Sequence, residues 1–305
     1  PTWDSIVLLL PPCSLPWSVA GPDVAPERSK ELHVEMDGDG PALLLLHGFT
    51  GGARTMEPLG RRLTDVRQVA SVDLPGHGRS GMPADPQLFG FEETVDALAR
   101  LLDKRDHVPA DVVGYSMGGR LALGLAVRHP EHVASLSLIG ASAGISDPVE
   151  RSARRRSDDD LAEDLLDHGL EMFVDRWMAS PLFASQVRLG PDALADSRAQ
   201  RMANDPEGLA GSLRGTGSGR QPSYWQNLGG VEVPTLLVVG DEDSKFRAIA
   251  MRMAAGLPDS RISVVAEAGH APHLENLDST ADVILGFLAD LDEDRQAADG
   301  RGWSR

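Results

Sequence analysis

Cysteine is nearly absent from this chain: Cys13 is the only one in 305 residues. No internal disulfide can form, and a thiolate-built metal centre lacks its ligands. Such cysteine usage fits a reducing compartment, and a cytoplasmic location is expected. Long apolar runs are missing too. The longest, Ile6 to Leu10 and Ala42 to Leu46, fall far short of the roughly 20 residues a spanning helix needs, so no membrane insertion is expected. Positive charge is in deficit. A formal net charge of −17 repels phosphate and argues against a nucleic-acid partner. The same field repels small anions, so any anion site must gather its cations locally. What is present is ordinary for a globular chain: 41% hydrophobic and 25% charged residues. The length suits one large α/β domain with an insertion, or two modest domains. Composition sets no oligomeric state.

Residues 1–30 are proline-rich, with Pro1, Pro11, Pro12, Pro16, Pro22 and Pro26. Asp4 stands where a signal peptide would carry basic residues, and the apolar run is short. A poorly ordered extension or start-site artefact is expected there. From Glu31 strands and helices alternate. Strands are expected over Leu32 to Met36 (an edge), Ala42 to Leu46, Val69 to Val72, Val112 to Tyr115, Ser135 to Ile139, Thr235 to Val239 and Ile262 to Val265. Helices are expected over Thr55 to Leu63, Phe91 to Leu102 and Ala281 to Leu291, among others. This alternation implies a mostly parallel sheet covered on both faces. It stops over residues 146–225, which read as a helical cap above the C-terminal edge of the sheet, where open α/β folds place ligands. The core is then 31–145 with 226–291, and 292–305 a polar, frayed tail.

Gly114-Tyr115-Ser116-Met117-Gly118 follows the short strand Ala110 to Val113 and precedes the apolar stretch Leu121 to Val127. A Gly-x-Ser-x-Gly between strand and helix is a nucleophile elbow, which exposes a serine hydroxyl on a strained turn. Two backbone N–H groups are candidates for an oxyanion hole: that of Met117, and that of Phe49 in the turn His47-Gly48-Phe49-Thr50-Gly51-Gly52.

A serine needs a base, and the base an orienting acid. Among nine histidines, His270 follows the final strand on a glycine turn, in Ala268-Gly269-His270. Its main rival is His77, in the loop Asp73-Leu74-Pro75-Gly76-His77-Gly78; His273 is expected to line or cap the site. His129 and His132, flanking Pro130, need no more than a surface role. The strand Leu236 to Val239 ends in Asp241, Glu242 and Asp243. Asp243 is the expected acid, beyond the strand end and beside Lys245, with Asp241 and Glu242 as alternatives. Ser116, Asp243 and His270 give the chain order serine, acid, histidine, each just past a strand.

These motifs resemble the α/β-hydrolase superfamily over about Leu32 to Leu291, and imply its fold. More closely, Gly114 to Arg120, Gly240-Asp241-Glu242-Asp243-Ser244-Lys245-Phe246, and the insertion motifs Glu150-Arg151, Arg154-Arg155, Trp177, Pro181-Leu182-Phe183, Arg201-Met202-Ala203-Asn204 and Ser212-Leu213-Arg214-Gly215 resemble one branch. That branch is the 2-succinyl-6-hydroxy-2,4-cyclohexadiene-1-carboxylate synthase family of menaquinone synthesis. The resemblance implies pyruvate elimination from an enolpyruvyl-bearing cyclohexene carboxylate, with no cofactor and no metal. Ser116 would then act as a base primed by His270. Substrate-binding roles would fall on Tyr115, Arg120, Arg154 (or its neighbour Arg155), Trp177, Arg201 and Lys245.

The residues themselves point the same way. The insertion holds no lysine but ten arginines, among them Arg151, Arg154, Arg176, Arg201 and Arg214. Arginine is preferred where carboxylates are gripped by paired hydrogen bonds, as a small polycarboxylate substrate would require. Arg155 and Arg156, beside Asp158, Asp159 and Asp160, are expected to be solvated. Two other functions stay open: a serine carboxylesterase or C–C bond hydrolase working through an acyl-enzyme, and a non-catalytic ligand receptor on the same scaffold.

Overall fold

The computed structural model of the chain describes residues 32–81 and 89–301. The expectations for residues 1–30 and for the last few residues lie outside these. Among the described residues seven strands form one sheet: β1 (Val34–Asp37), β2 (Ala42–Leu46), β3 (Gln68–Val72), β4 (Ala110–Tyr115), β5 (Val133–Ile139), β6 (Thr235–Gly240) and β7 (Ser260–Val265). Their spatial order is β1-β3-β2-β4-β5-β6-β7, and β1 runs antiparallel to its neighbour while the other pairs are parallel. The chain leaves β2 for β3, then returns past β2 to β4. The crevice at this reversal is where such sheets bind ligands.

Strand side chains alternate between faces, and here both faces are buried. Leu43 and Leu45 join Met56, Leu59 and Leu63 of α1 (Ala53–Leu63) and Ile284, Phe287 and Leu288 of α10 (Leu277–Arg301). Leu44 and Leu46 face the other way, toward α2 (Phe91–Lys104), α3 (Met117–Arg128) and α8 (Ser244–Ala254). An unbroken leucine run is therefore the signature of a central strand.

Between β5 and β6 lie α4 (Pro148–His168), α5 (Leu170–Met178), a 3-10 segment at Pro181–Leu189, α6 (Gly190–Met202) and α7 (Pro206–Thr216). Asp147 and Asp205 cap α4 and α7 by accepting backbone N–H groups, each followed by a proline suited to the first helical position. These helices share a small core of their own, including Leu165, Phe173, Leu209 and Leu213, against which Phe49 packs. A four-residue helix, α9 (Pro272–Glu275), precedes α10. None of the described helices is long and apolar enough to cross a membrane.

The frayed tail expected from Asp292 is corrected: α10 continues as helix through Arg301. Arg67 is buried, and a buried guanidinium needs counter-charge. Its Nε donates to Asp111 at 2.8 Å, and its two terminal nitrogens donate to the two oxygens of Asp292, each at 2.9 Å. Arg295 donates to the other Asp111 oxygen at 2.9 Å. These ions hold the helix against the N-terminal edge of the sheet.

Candidate active site

Ser116 sits between β4 and α3 with φ +49° and ψ −104°, a left-handed backbone that disfavours any side chain. Its N–H donates to the Ile139 carbonyl at 2.8 Å. The flanking glycines are steric requirements. A Cβ on Gly114 would lie 2.6 Å from Gly118 backbone, and one on Gly118 would lie 2.4 Å from the Leu46 carbonyl oxygen. Strand and helix can approach this closely only without those side chains.

His270, in the turn after β7, lies with Nε2 3.1 Å from Ser116 Oγ and Nδ1 2.9 Å from Asp243 Oδ2. An ionised carboxylate only accepts, so Nδ1–H donates to Asp243 and leaves Nε2 free to accept the serine proton. Asp243 is itself fixed: it caps α8, and Oδ1 accepts the Phe246 N–H at 3.0 Å. Burial opposes its charge, but the His270 bond, the Phe246 N–H and the nearby Lys245 outweigh that and hold its carboxyl below the ordinary range. The alternative acids are engaged elsewhere. Asp241 accepts the Ala268 N–H at 3.2 Å, and Glu242 pairs with Arg188 at 2.6 Å.

The rival His77 braces a loop. Its Nε2 accepts the Thr50 N–H at 3.3 Å, while Nδ1–H donates to the Pro75 carbonyl at 3.1 Å. Burial, reinforced by the neighbouring His47, lowers its pKa to about 3, so it stays neutral. His47 donates to the Gly48 carbonyl at 2.7 Å and accepts the Leu74 N–H at 2.9 Å. Asn204, between α6 and α7, donates to the Thr50 carbonyl and accepts the Gly78 N–H, both at 2.9 Å. The turn carrying Phe49 is thus held from below by two histidines and from above by the cap. As the first residue of α3, Met117 has an N–H with no intrahelical partner.

A cavity of about 330 Å³ opens above Ser116 and His270. Phe49, Trp177, Leu182 and Phe183 supply an apolar wall. Four cations, Arg120, Arg154, Lys245 and Arg252, line the remainder against Glu150 and Asp158. Arg120 lies one helical turn from Ser116 and is only 8% exposed. Its Nη1 donates to the Thr216 carbonyl at the end of α7, at 2.9 Å, and to Gln221 at 3.4 Å. Among the described residues no carboxylate lies within ion-pair distance of it. Burial, then repulsion from Arg154, outweighs attraction to Asp158 and lowers its pKa to about 10, so it is still a cation at neutral pH. Arg154 lines the cavity and donates to Asp158 at 2.7 Å; Arg155 is not part of the lining. Asp158 is 1% exposed and also accepts the Gly219 N–H.

Tyr115 lines this cavity and a second one of about 240 Å³ behind it. Burial pushes its phenol well above the ordinary range. Arg201, to which the resemblance assigns a substrate-binding role, lines the second cavity, with His273. It lies at the end of α6, and Tyr115 and Phe49 line both cavities. His273, expected to line or cap the site, packs with its ring centroid 4.3 Å from that of Tyr115.

Arg252 and Trp225 escaped the sequence reading. The Arg252 guanidinium stacks 3.7 Å over the Trp225 ring, whose Nε1 donates to the Gly144 carbonyl at 2.7 Å. A signal existed: Lys245, Ile249 and Arg252 fall at i, i+4 and i+7 on one face of α8.

The alpha/beta hydrolase fold family model matches residues 41–277. A putative 2-succinyl-6-hydroxy-2,4-cyclohexadiene-1-carboxylate synthase of Bacillus subtilis (strain 168) is 38% identical over 250 residues, 82% of this chain and 91% of its own. A 2-succinyl-6-hydroxy-2,4-cyclohexadiene-1-carboxylate synthase of Enterobacter sp. (strain 638) is 35% identical, covering 81% of this chain and 92% of its own. The solved structure of MenH from S. aureus matches with a TM-score of 0.82 and 34% identity, over 87% of this chain and 100% of that one. With its parallel sheet and its serine on a strand–turn–helix elbow, the chain belongs to the α/β-hydrolase fold family, in the branch that contains these synthases.

Proposed function

We propose that this chain is a lyase of menaquinone synthesis. It eliminates pyruvate from 2-succinyl-5-enolpyruvyl-6-hydroxy-3-cyclohexene-1-carboxylate to leave 2-succinyl-6-hydroxy-2,4-cyclohexadiene-1-carboxylate. The observation that carries the reading is Arg120: a buried guanidinium without a carboxylate partner among the described residues, opening on the same cavity as Ser116. A buried cation left unpaired is stabilised by the anion it awaits. With Arg154, Lys245 and Arg252 it forms a set of cations able to hold several carboxylates at once, within a chain whose net charge is −17.

The ring carbon that bears the succinyl ketone carries the acidic proton. Ser116, its own proton drawn by His270 Nε2, removes it, and Asp243 stabilises the imidazolium that results. The ketone oxygen takes up negative charge facing the N–H groups of Phe49 and Met117. As the enolate collapses, a double bond forms to that carbon and the ring alkene moves over by one bond. The C–O bond to the enolpyruvyl group breaks, and the departing enolate takes up a proton to become pyruvate. No acyl-enzyme is formed, and no step calls for a cofactor. The test is pyruvate release from the enolpyruvyl substrate. Ser116→Ala and His270→Ala should each lower kcat by about 10²-fold or more; absence of release by the wild type at high enzyme concentration would falsify the reading.

The apolar wall of Phe49, Trp177 and Phe183 favours a second reading, an esterase with an acyl pocket. Burst kinetics with an aryl ester and a trapped Ser116 adduct would identify it. Slow ester turnover alone would not, because both readings share the elbow.

A further inference from the structure

Two imidazoles and a carboxylate converge at the end of α3 away from Ser116. The helix has 12 residues, which separates the two ends by about 18 Å. His129 closes α3, and Pro130–His132 form a 3-10 turn in which the His132 N–H donates to the His129 carbonyl at 3.0 Å. Side chains three apart eclipse in such a turn. The two rings therefore sit side by side, with centroids 5.5 Å apart and planes crossing at 82°. Glu131 Oε1 lies 3.1 Å from His132 Nδ1 and 3.8 Å from His129 Nδ1. One potential ligand atom from each of the three residues lies within 4.8 Å of the others.

The opposite ring nitrogens are backed by carboxylates. His129 Nε2 is 2.8 Å from Asp96, and His132 Nε2 is 2.9 Å from Asp103. Asp96 and Asp103 stand seven residues apart on α2, two turns along one face. Ionised carboxylates only accept, so each Nε2 carries the hydrogen, and in that tautomer each ring presents an acceptor Nδ1 to Glu131, a third acceptor. Three acceptors facing one another require a cation or a proton between them. A carboxylate behind each histidine is the arrangement that orients and strengthens metal-bound imidazoles. Two imidazoles and one carboxylate form a ligand set suited to zinc. Glu92, Asp96, Asp103 and Glu131 bring negative charge to this end of α3, where Arg128 pairs with Glu92 and Asp96.

We propose that His129 and His132, through Nδ1, and Glu131 bind one Zn²⁺ ion, with water in the fourth position. The ion clamps the end of α3 and the entry to β5 onto α2. It has no part in the chemistry at Ser116, so the proposal stands or falls apart from the lyase reading.

The experiment uses the full untagged chain, stripped with chelator and titrated with Zn²⁺ by calorimetry in a non-coordinating buffer. The expected result is saturation at about one equivalent, with Tm raised by about 3 °C at saturating metal. The double variant His129→Gln with His132→Gln should lose both effects while keeping wild-type activity. Asp103→Asn keeps all three ligands and should weaken Zn²⁺ binding by about 10- to 100-fold. Equal uptake by wild type and double variant overturns the site and leaves a shared proton as the occupant between His132 and Glu131. Equal affinity in wild type and Asp103→Asn overturns it as well, because the carboxylate-backed imidazole is its basis.

Discussion

A left-handed φ of +49° at Ser116 keeps its hydroxyl clear of both strand and helix, and the backbone is strained as a result. Glycine adopts that conformation freely, whereas alanine bears the same strain as serine. Ser116→Gly should therefore be more stable than Ser116→Ala by about 1 kcal/mol, with both variants inactive. Urea denaturation of the pair checks this, and equal midpoints would mean the elbow stores no strain. Arg120 raises a different question at the same scale. Its Nη1 is committed to the Thr216 carbonyl and to Gln221, and the side chain lines the cavity. Lysine keeps the charge but loses the fork. Arg120→Lys is expected to raise KM about 10-fold with kcat little changed, since a grip on a carboxylate remote from the reacting bonds is uniform binding. An unchanged KM would remove Arg120 from substrate recognition.

Among the elements, the cap and the turn after β2 meet at Asn204, whose amide bridges Thr50 and Gly78. Asn204→Ala leaves a buried carbonyl and an N–H without their partner, a loss of about 1–3 kcal/mol. The Thr50 turn also carries the Phe49 N–H, so kcat should fall with stability while the substrate cations stay in place. Wild-type kcat in a destabilised Asn204→Ala would separate the cap from the oxyanion turn. The legible parts of the molecule were those in which local pattern and final environment agree. Leu43 to Leu46 could be read as a central strand because both faces of that strand are apolar. Ser116, Asp243 and His270 could be paired because each ends a strand at the same edge of the sheet. The end of α10 could not. Asp292 and Arg295 look like solvated charges until Arg67, buried more than 200 residues earlier in the chain, demands a partner. Arg201 sits in a motif of the right type, yet α6 turns it to the cavity behind Tyr115. Helix orientation decided that, and local sequence does not encode it.

Over the whole molecule, several histidines are buried where they cannot take up a proton. His77 is held to a pKa of about 3 by burial and by His47, and His273 to about 3 by burial and by the charges of His270 and Arg201. In the unfolded chain each titrates near 6.5. Between those values the unfolded state binds a proton that the folded state refuses. Stability is therefore complete above the unfolded value and falls with pH, by about 1.4 kcal/mol per pH unit for each histidine. The carboxylates Asp111 and Asp243 respond later. Burial opposes their charge, but hydrogen bonds from Arg295, Ser135 and Arg67 at Asp111, and from His270 and Phe246 at Asp243, hold both below the ordinary range. Their contribution persists to about pH 4 and disappears only as the pH falls through their lowered values. Acid should thus weaken the fold in two stages, the first owed to buried imidazoles that make no ion pair of their own among the described residues. His273→Gln should flatten the dependence of unfolding free energy on pH by about 1.4 kcal/mol per unit between about pH 6 and pH 4. The slope is the readout, so an offset at neutral pH from altered packing against Tyr115 does not disturb it. An identical slope in the variant would mean that His273 accepts its proton in the folded protein, and that water reaches the cavity behind Tyr115.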